Sequence, residues 1–204
     1  MNPDQSKARA ASSRGICMIF AQWRARRASK AFIEQILGEI VAAARRPALY
    51  QALGAPDRID CRFELLTVHA GLVLRRLAAL GGVADAIAQD LVDSLFAHFD
   101  DTLREMGVSD IGVAKRLKAM GSAFYGRNAV YAAALDDSSP DDLAAALARN
   151  VYGAKGPEAV PKAEALARHI ASLDAALATI PIEVFTAGRF RFPLGLIAAG
   201  VPHD

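Results

Sequence analysis

Apolar residues recur along most of the chain at three- and four-residue steps, the spacing of helices that each bury one stripe. Between Ala28 and Arg46 the stripe is Phe32, Ile33, Ile36, Leu37, Ile40 and Val41. Pro47 interrupts it, a short helix through Leu49, Tyr50 and Leu53 ends at Gly54, and Pro56-Asp57 opens a turn. From about Arg62 to Leu80 the pattern is apolar nearly all round: Phe63, Leu65, Leu66, Val68, Leu72, Val73, Leu74, Leu77 and Leu80. Such a helix belongs in the middle of a bundle. Glu64, His69 and the Arg75-Arg76 pair argue against a membrane span, and a lone histidine there reads as packed and hydrogen-bonded.

Gly81-Gly82 breaks the chain before a helix with Val92, Leu95, Phe96, Phe99, Leu103 and Met106 on one face. Asp90, Asp93, Asp100 and Asp101 take the opposite face, and Arg104 follows Asp100 by one stabilising turn. Gly107 suits the left-handed residue that ends a helix, and Ser109 or Asp110 can cap the next. That helix turns Val113, Leu117, Met120 and Phe124 inward, shows Lys115, Arg116 and Lys118 to solvent, and continues through Val130, Tyr131 and Leu135. A second start signal follows, with Ser139 as cap, Pro140 in the first turn and Asp141-Asp142 beside it. This helix stops near Tyr152-Gly153. A loop from Lys155 to Pro161 leads into a last long helix with Leu166, Ile170, Leu173 and Leu177 inward, stopped by Pro181. Residues 182–204 lose helical periodicity, and Arg189-Phe190-Arg191-Phe192-Pro193 alternates like an extended strand or strap. The expected architecture is all-α: one bundle of six to eight helices over residues 29–181, a basic segment at 1–28, and an extended tail at 182–204 packed on the bundle.

Composition narrows this further. A chain of 204 residues, 53% hydrophobic, is enough for one well-filled domain. Cys17 and Cys61 form no metal or redox spacing, so free thiols in a reducing cytosol are the plain expectation. The net charge of +2 hides an asymmetry: residues 1–46 hold nine Lys or Arg against three Asp or Glu, the remainder 15 against 19. A basic leader favours an anionic surface, either lipid headgroups or RNA. Its apolar stretch, Gly15 to Trp23, is too short to span a bilayer and lacks a clean signal-peptide cleavage site. It suits an interfacial anchor, with Phe20 and Trp23 at the headgroup boundary and Arg24, Arg26 and Arg27 on anionic lipid. A soluble tail, or a helix folded on the core, is the alternative.

Catalytic chemistry finds little support. Asp100-Asp101 with Glu105, and Asp136-Asp137 with Asp141-Asp142, superficially match the magnesium-binding carboxylates of helical isoprenoid synthases. That chemistry needs two clusters facing each other across an apolar cavity. Here the first lies on the polar face of an amphipathic helix, and capping accounts for the second. No zinc-binding spacing, phosphate-cradling glycine loop or activated nucleophile is present, and His98, His169 and His203 are scattered. The chain therefore reads as a non-enzyme without metal or cofactor. Gly121 and Gly126 stand out inside a helical pattern, each costing about 1 kcal/mol relative to Ala. Phe124, Tyr125 and Arg127 beside them are residue types of interface anchors.

The run Met106-Gly107-Val108-x-Asp110-x-Gly112-Val113, then Lys115-Arg116-x-Lys118-x-Met120 and Ala123-Phe124-Tyr125-Gly126-Arg127, resembles the signature of the ubiquinol–cytochrome c chaperone family. The resemblance extends upstream through Asp60-x-Arg62-Phe63-Glu64-Leu65-Leu66 and Leu72-Val73-Leu74-Arg75-Arg76-Leu77, and covers roughly residues 45–150. Ala114 departs from an expected helix-initiating proline, and Gly121 from a better helix former. The resemblance implies an assembly chaperone that binds newly made cytochrome b of respiratory complex III, in the cytoplasm or peripherally on the inner face of the membrane (the matrix side in a mitochondrion). It further implies a ribosome or a small helical protein as a partner, and no DNA. A client of membrane helices asks for an apolar groove with a basic rim. Asp110, Gly112, Lys115, Arg116, Lys118, Met120, Phe124, Tyr125 and Arg127 are the candidate client-binding residues. The rival readings are a ribosome- or RNA-associated adaptor and a haem- or small-molecule-binding helical enzyme.

Overall fold

A computed structural model describes residues 30–153 and 160–193. They fold into α1 (30–44), α2 (Pro47–Gln51), α3 (Ile59–Leu80), α4 (Val83–Glu105), α5 (Asp110–Asp136), α6 (Pro140–Asn150), α7 (Val160–Ala178) and α8 (Ile182–Thr186). The architecture is all-α, with no strand among the described residues. The leader, with Phe20, Trp23, Arg24, Arg26 and Arg27, lies outside them, as do residues 154–159 and 194–204. No helix among the described residues is long and apolar enough to cross a membrane.

The nearly all-apolar helix is the central one, as its pattern demands. α3 packs against α4, α5 and α7, and its Leu65, Val68, Leu72, Val73 and Leu77 are buried. His69 sits in this core with Nδ1 2.7 Å from the Leu65 carbonyl and its ring 5.4 Å from that of Phe192. Desolvation pushes its pKa down to about 4, so it is a neutral packed histidine at physiological pH.

Local chemistry sets the helix ends. Gly107 adopts φ 76°, and the Gly107 and Val108 N–H groups donate back to the carbonyls of Arg104 and Leu103. These two bonds make a Schellman motif, which closes α4 with one left-handed residue. At α6 the Ser139 hydroxyl accepts the Asp142 N–H and Pro140 fills the first turn, as the start signal predicts. The start of α5 differs. Ser109 occupies the cap position but its side chain accepts no bond, and Asp110 is held by Arg104 from the end of α4.

Two expectations need correction. Met106 follows the last residue of α4, so the turn carries its side chain away from the stripe and leaves it 50% exposed. Within residues 182–204, Ile182–Thr186 is helical, a single turn too short to show periodicity. The strap beyond it keeps its alternation, with Phe190 and Phe192 buried and Arg189 and Arg191 exposed. It pairs with α1 side chains rather than with a strand. The Phe192 N–H donates to Glu39 Oε2 at 3.1 Å, and Gln35 Nε2 donates to the Phe190 carbonyl. Phe190 also stacks on Phe185 of α8 at 4.9 Å, which fastens the strap to the core.

Candidate functional site

The hairpin of α4 and α5 is built around a chain of rings. Phe63 of α3 meets Phe99 at 5.4 Å, Phe99 meets Phe96 at 5.6 Å, and Phe96 meets Phe124 edge-on at 5.8 Å. Phe96 also stacks on Tyr125 at 6.5 Å. Edge-to-face and offset contacts at these distances are favourable beyond the area they bury. The chain runs from the interior to the surface: Phe124 is buried, Phe96 half-buried, and Tyr125 59% exposed. Phe124 is therefore core, Met120 is half-buried against it, and Tyr125 is the aromatic side chain left for a partner. Arg104 clamps the connecting turn, bonding Asp100 at 2.5 Å and also Asp110. Asp110, a candidate client contact, is thus engaged within the hairpin.

The helical pitch sorts the candidate basic residues. Ile111, Lys115, Lys118, Ser122, Tyr125 and Ala129 follow at three- and four-residue steps, and all are exposed. They form one outward stripe, apolar at Ile111 and Tyr125 and basic between them. Arg116 is exposed but lies roughly 160° around the helix from Lys118, on the other flank. Arg127 leaves the rim altogether. Its Nη2 lies 2.7 Å from Oε1 of Glu64 on α3, and its guanidinium sits 5.7 Å from the Phe63 ring centre. The glycines divide as well. A Cβ at Gly112 would lie 2.9 Å from Val108 Cγ1, so a side chain there would crowd the turn. At Gly121 it would meet only Phe96 at an ordinary 3.6 Å, and at Gly126 nothing within 4 Å. Among the described residues, the backbone of no other element crowds Gly121 or Gly126.

The arrangement that sequence reasoning missed lies on the inner side of α5. Glu64, Thr67, Gly71 and Arg75 share one stripe of α3 at steps of three and four, and that stripe faces α5. Glu64 is 4% exposed and burial raises its carboxyl to about 7, with Arg127 opposing the rise. Asn128 packs directly on Gly71, where a Cβ would fall 1.9 Å from its Oδ1. Arg75 bridges Asp136 of α5 at 2.6 Å and Asp174 of α7 at 3.2 Å. Tyr131 accepts a bond from Asn150 of α6 at 2.9 Å. Glu64 Oε2, Thr67 Oγ1 and Asn128 Nδ2 are buried without a hydrogen-bond partner. The signal for this stripe was present: four non-aliphatic residues at helical spacing on an otherwise apolar helix.

Beyond Arg75 the same stripe opens into a cleft of about 500 Å³ between α3, α5 and α7, floored by Ala78, Ala79, Ala132 and Ala178. No cluster of His, Cys, Asp or Glu suited to a metal occurs among the described residues. Asp100 serves Arg104 and Asp136 serves Arg75, so one member of each of these two aspartate pairs is engaged in a separate ion pair of the fold.

The family model described as ubiquinol–cytochrome C chaperone matches residues 51–192. No curated protein matches the chain. Among solved structures, the crystal structure of the Cbp3 homolog from Brucella abortus superposes with a TM-score of 0.76 at 34% identity, over 87% of this chain and 96% of that one. The segments that carried the resemblance, around Glu64 and around Arg127, are those that the buried ion pair joins. The chain belongs to the ubiquinol–cytochrome c chaperone family, and it is an assembly factor of respiratory complex III rather than an enzyme.

Proposed function

We propose that this protein holds newly synthesised cytochrome b during assembly of complex III and that the outward stripe of α5 is its docking face. The observation that carries the reading is Tyr125: a ring 59% exposed, yet stacked on a chain of rings anchored in the core. A rigid, half-supported aromatic side chain is the usual centre of a binding surface. Lys115 and Lys118 on the same stripe supply positive charge beside it. An unfinished membrane polypeptide needs apolar cover of this kind, and basic residues suit its anionic lipid surroundings. Gly126 and Ala129 next to Tyr125 leave low relief in which a client helix can lie close.

The basic leader extends this reading to the membrane surface, with Phe20, Trp23, Arg24, Arg26 and Arg27 as peripheral contacts from the cytoplasmic side (or the matrix side in a mitochondrion). A ribosome or a small helical protein is the further partner expected of such a chaperone. The test is a pulldown from membranes of the source cell with identification of bound subunits. The wild type is expected to recover cytochrome b, while Lys115→Glu/Lys118→Glu and Tyr125→Ala each lose most of it. Equal recovery by all three proteins removes the stripe from the account, and no recovery by the wild type removes the client.

A further inference from the structure

We propose that the seam between α3 and α5 parts while the rest of the bundle stays folded, and that the polar face it uncovers receives an apolar helix carrying a polar or ionisable side chain. The second half rests on the client reading above; the first does not. Helices in a bundle ordinarily meet through aliphatic side chains, and burial of polar atoms is favourable only where each finds a partner. Here Glu64 and Thr67, 4% and 0% exposed, each carry an unpartnered oxygen, and Asn128 adds an unpartnered nitrogen across the seam. Parting lets all three bond to water or to a guest, so this seam gives back free energy on opening that an aliphatic one does not.

Each end of the seam carries an ion pair: Glu64 with Arg127 at 2.7 Å and Arg75 with Asp136 at 2.6 Å. Both arginine side chains already reach solvent, at 28% and 30% exposure, so water stands at each end. Between them Asn128 seats on bare Gly71, a contact with no side chain of α3 to interlock. Helices of membrane proteins often bear a polar residue destined for a partner inside their own fold. Until that partner is present, a carboxylate and a guanidinium beside the Phe63 ring match such a helix in both its apolar and its polar parts.

The test places a cysteine at Thr67 in a Cys17→Ser/Cys61→Ala background of the full chain, with Ala146→Cys as a control buried in α6. A thiol reagent under native conditions reads opening at each site. The expected result is labelling at 67 at least tenfold faster than at 146. Glu64→Leu/Arg127→Leu, which makes the seam apolar, is expected to slow labelling at 67 at least tenfold and to lower cytochrome b capture several-fold. Should that variant fail to fold, Glu64→Gln/Arg127→Met takes its place. Equal labelling at 67 and 146 overturns the opening. Distinct rates with undiminished capture by the sealed variant overturn the seam as the receiving face and leave the outer stripe of α5 intact. Absence of capture by the wild type refutes the client itself, and the labelling ratio still decides the opening.

Discussion

Two helix pairs of one bundle are joined in opposite ways. α6 and α7 meet through Leu143, Leu147, Leu166, Ile170 and small alanines, all buried. Where α3 and α5 meet, a carboxylate, a threonine, a glycine and an arginine on one side stand beside an arginine, an asparagine and an aspartate on the other, next to the buried Tyr131. The first contact is non-directional and gains with every methylene removed from water. The second depends on a few directed bonds, some of them unmade. Much of the binding surface proposed here lies on the helix with the weaker footing, and a chaperone that must take and release its client has use for such a division.

Damage to the apolar pair is the costlier. Leu166→Ala leaves a cavity at a fully buried site and is expected to cost about 3 kcal/mol in denaturant unfolding. A loss under about 1 kcal/mol would show that the α6–α7 contact is not the firm one.

Next comes Arg127→Ala, expected to cost about 2 kcal/mol at pH 8 and far less at pH 5. The sign follows from Glu64, whose folded pKa of about 7 lies above its ordinary value of 4.5. Stability from its neutral form is fully present below about 4.5 and is lost as pH rises through about 7. Without the guanidinium that upper limit moves higher, so the variant suffers at alkaline pH. Unfolding curves from pH 5 to 9 check this, and a cost independent of pH would contradict the buried pair. His69 works in the reverse sense, since its depressed pKa gives stability above about 6.5 that is lost as pH falls through about 4.

Gly71→Ala sharpens the picture at about 1–2 kcal/mol, because a Cβ there meets the Asn128 side chain. Asn128→Ala should relieve most of that cost in a double-mutant cycle. Smallest is Lys115→Glu/Lys118→Glu, two exposed positions, with a stability change within about 0.5 kcal/mol, so that any lost capture reflects binding.

The sequence made the helices and their ends legible where one residue decides the matter, as at Gly107 and at Ser139-Pro140. It made α3 legible as the central helix because its apolar residues surround it, and the family legible through the run from Met106 to Arg127. It misplaced Arg127, since periodicity tells how far a residue lies from its own helix's stripe, not which neighbour waits there. The partner, Glu64, is 63 positions earlier, and only tertiary packing brings them to 2.7 Å. The three candidate cations read as one face because they are close in sequence, whereas a 100° step separates Lys115 from Arg116. Met106 kept the spacing of a core residue but fell one position beyond the helix end.

The most direct measurement is site-specific photo-crosslinking in cells assembling complex III, with the photoreactive residue at Tyr125 or, as a control, at Asp90 on the acidic face of α4. An adduct with cytochrome b is expected from position 125 and none from 90. Adducts of equal yield from both positions, or an adduct from 90 alone, would contradict it.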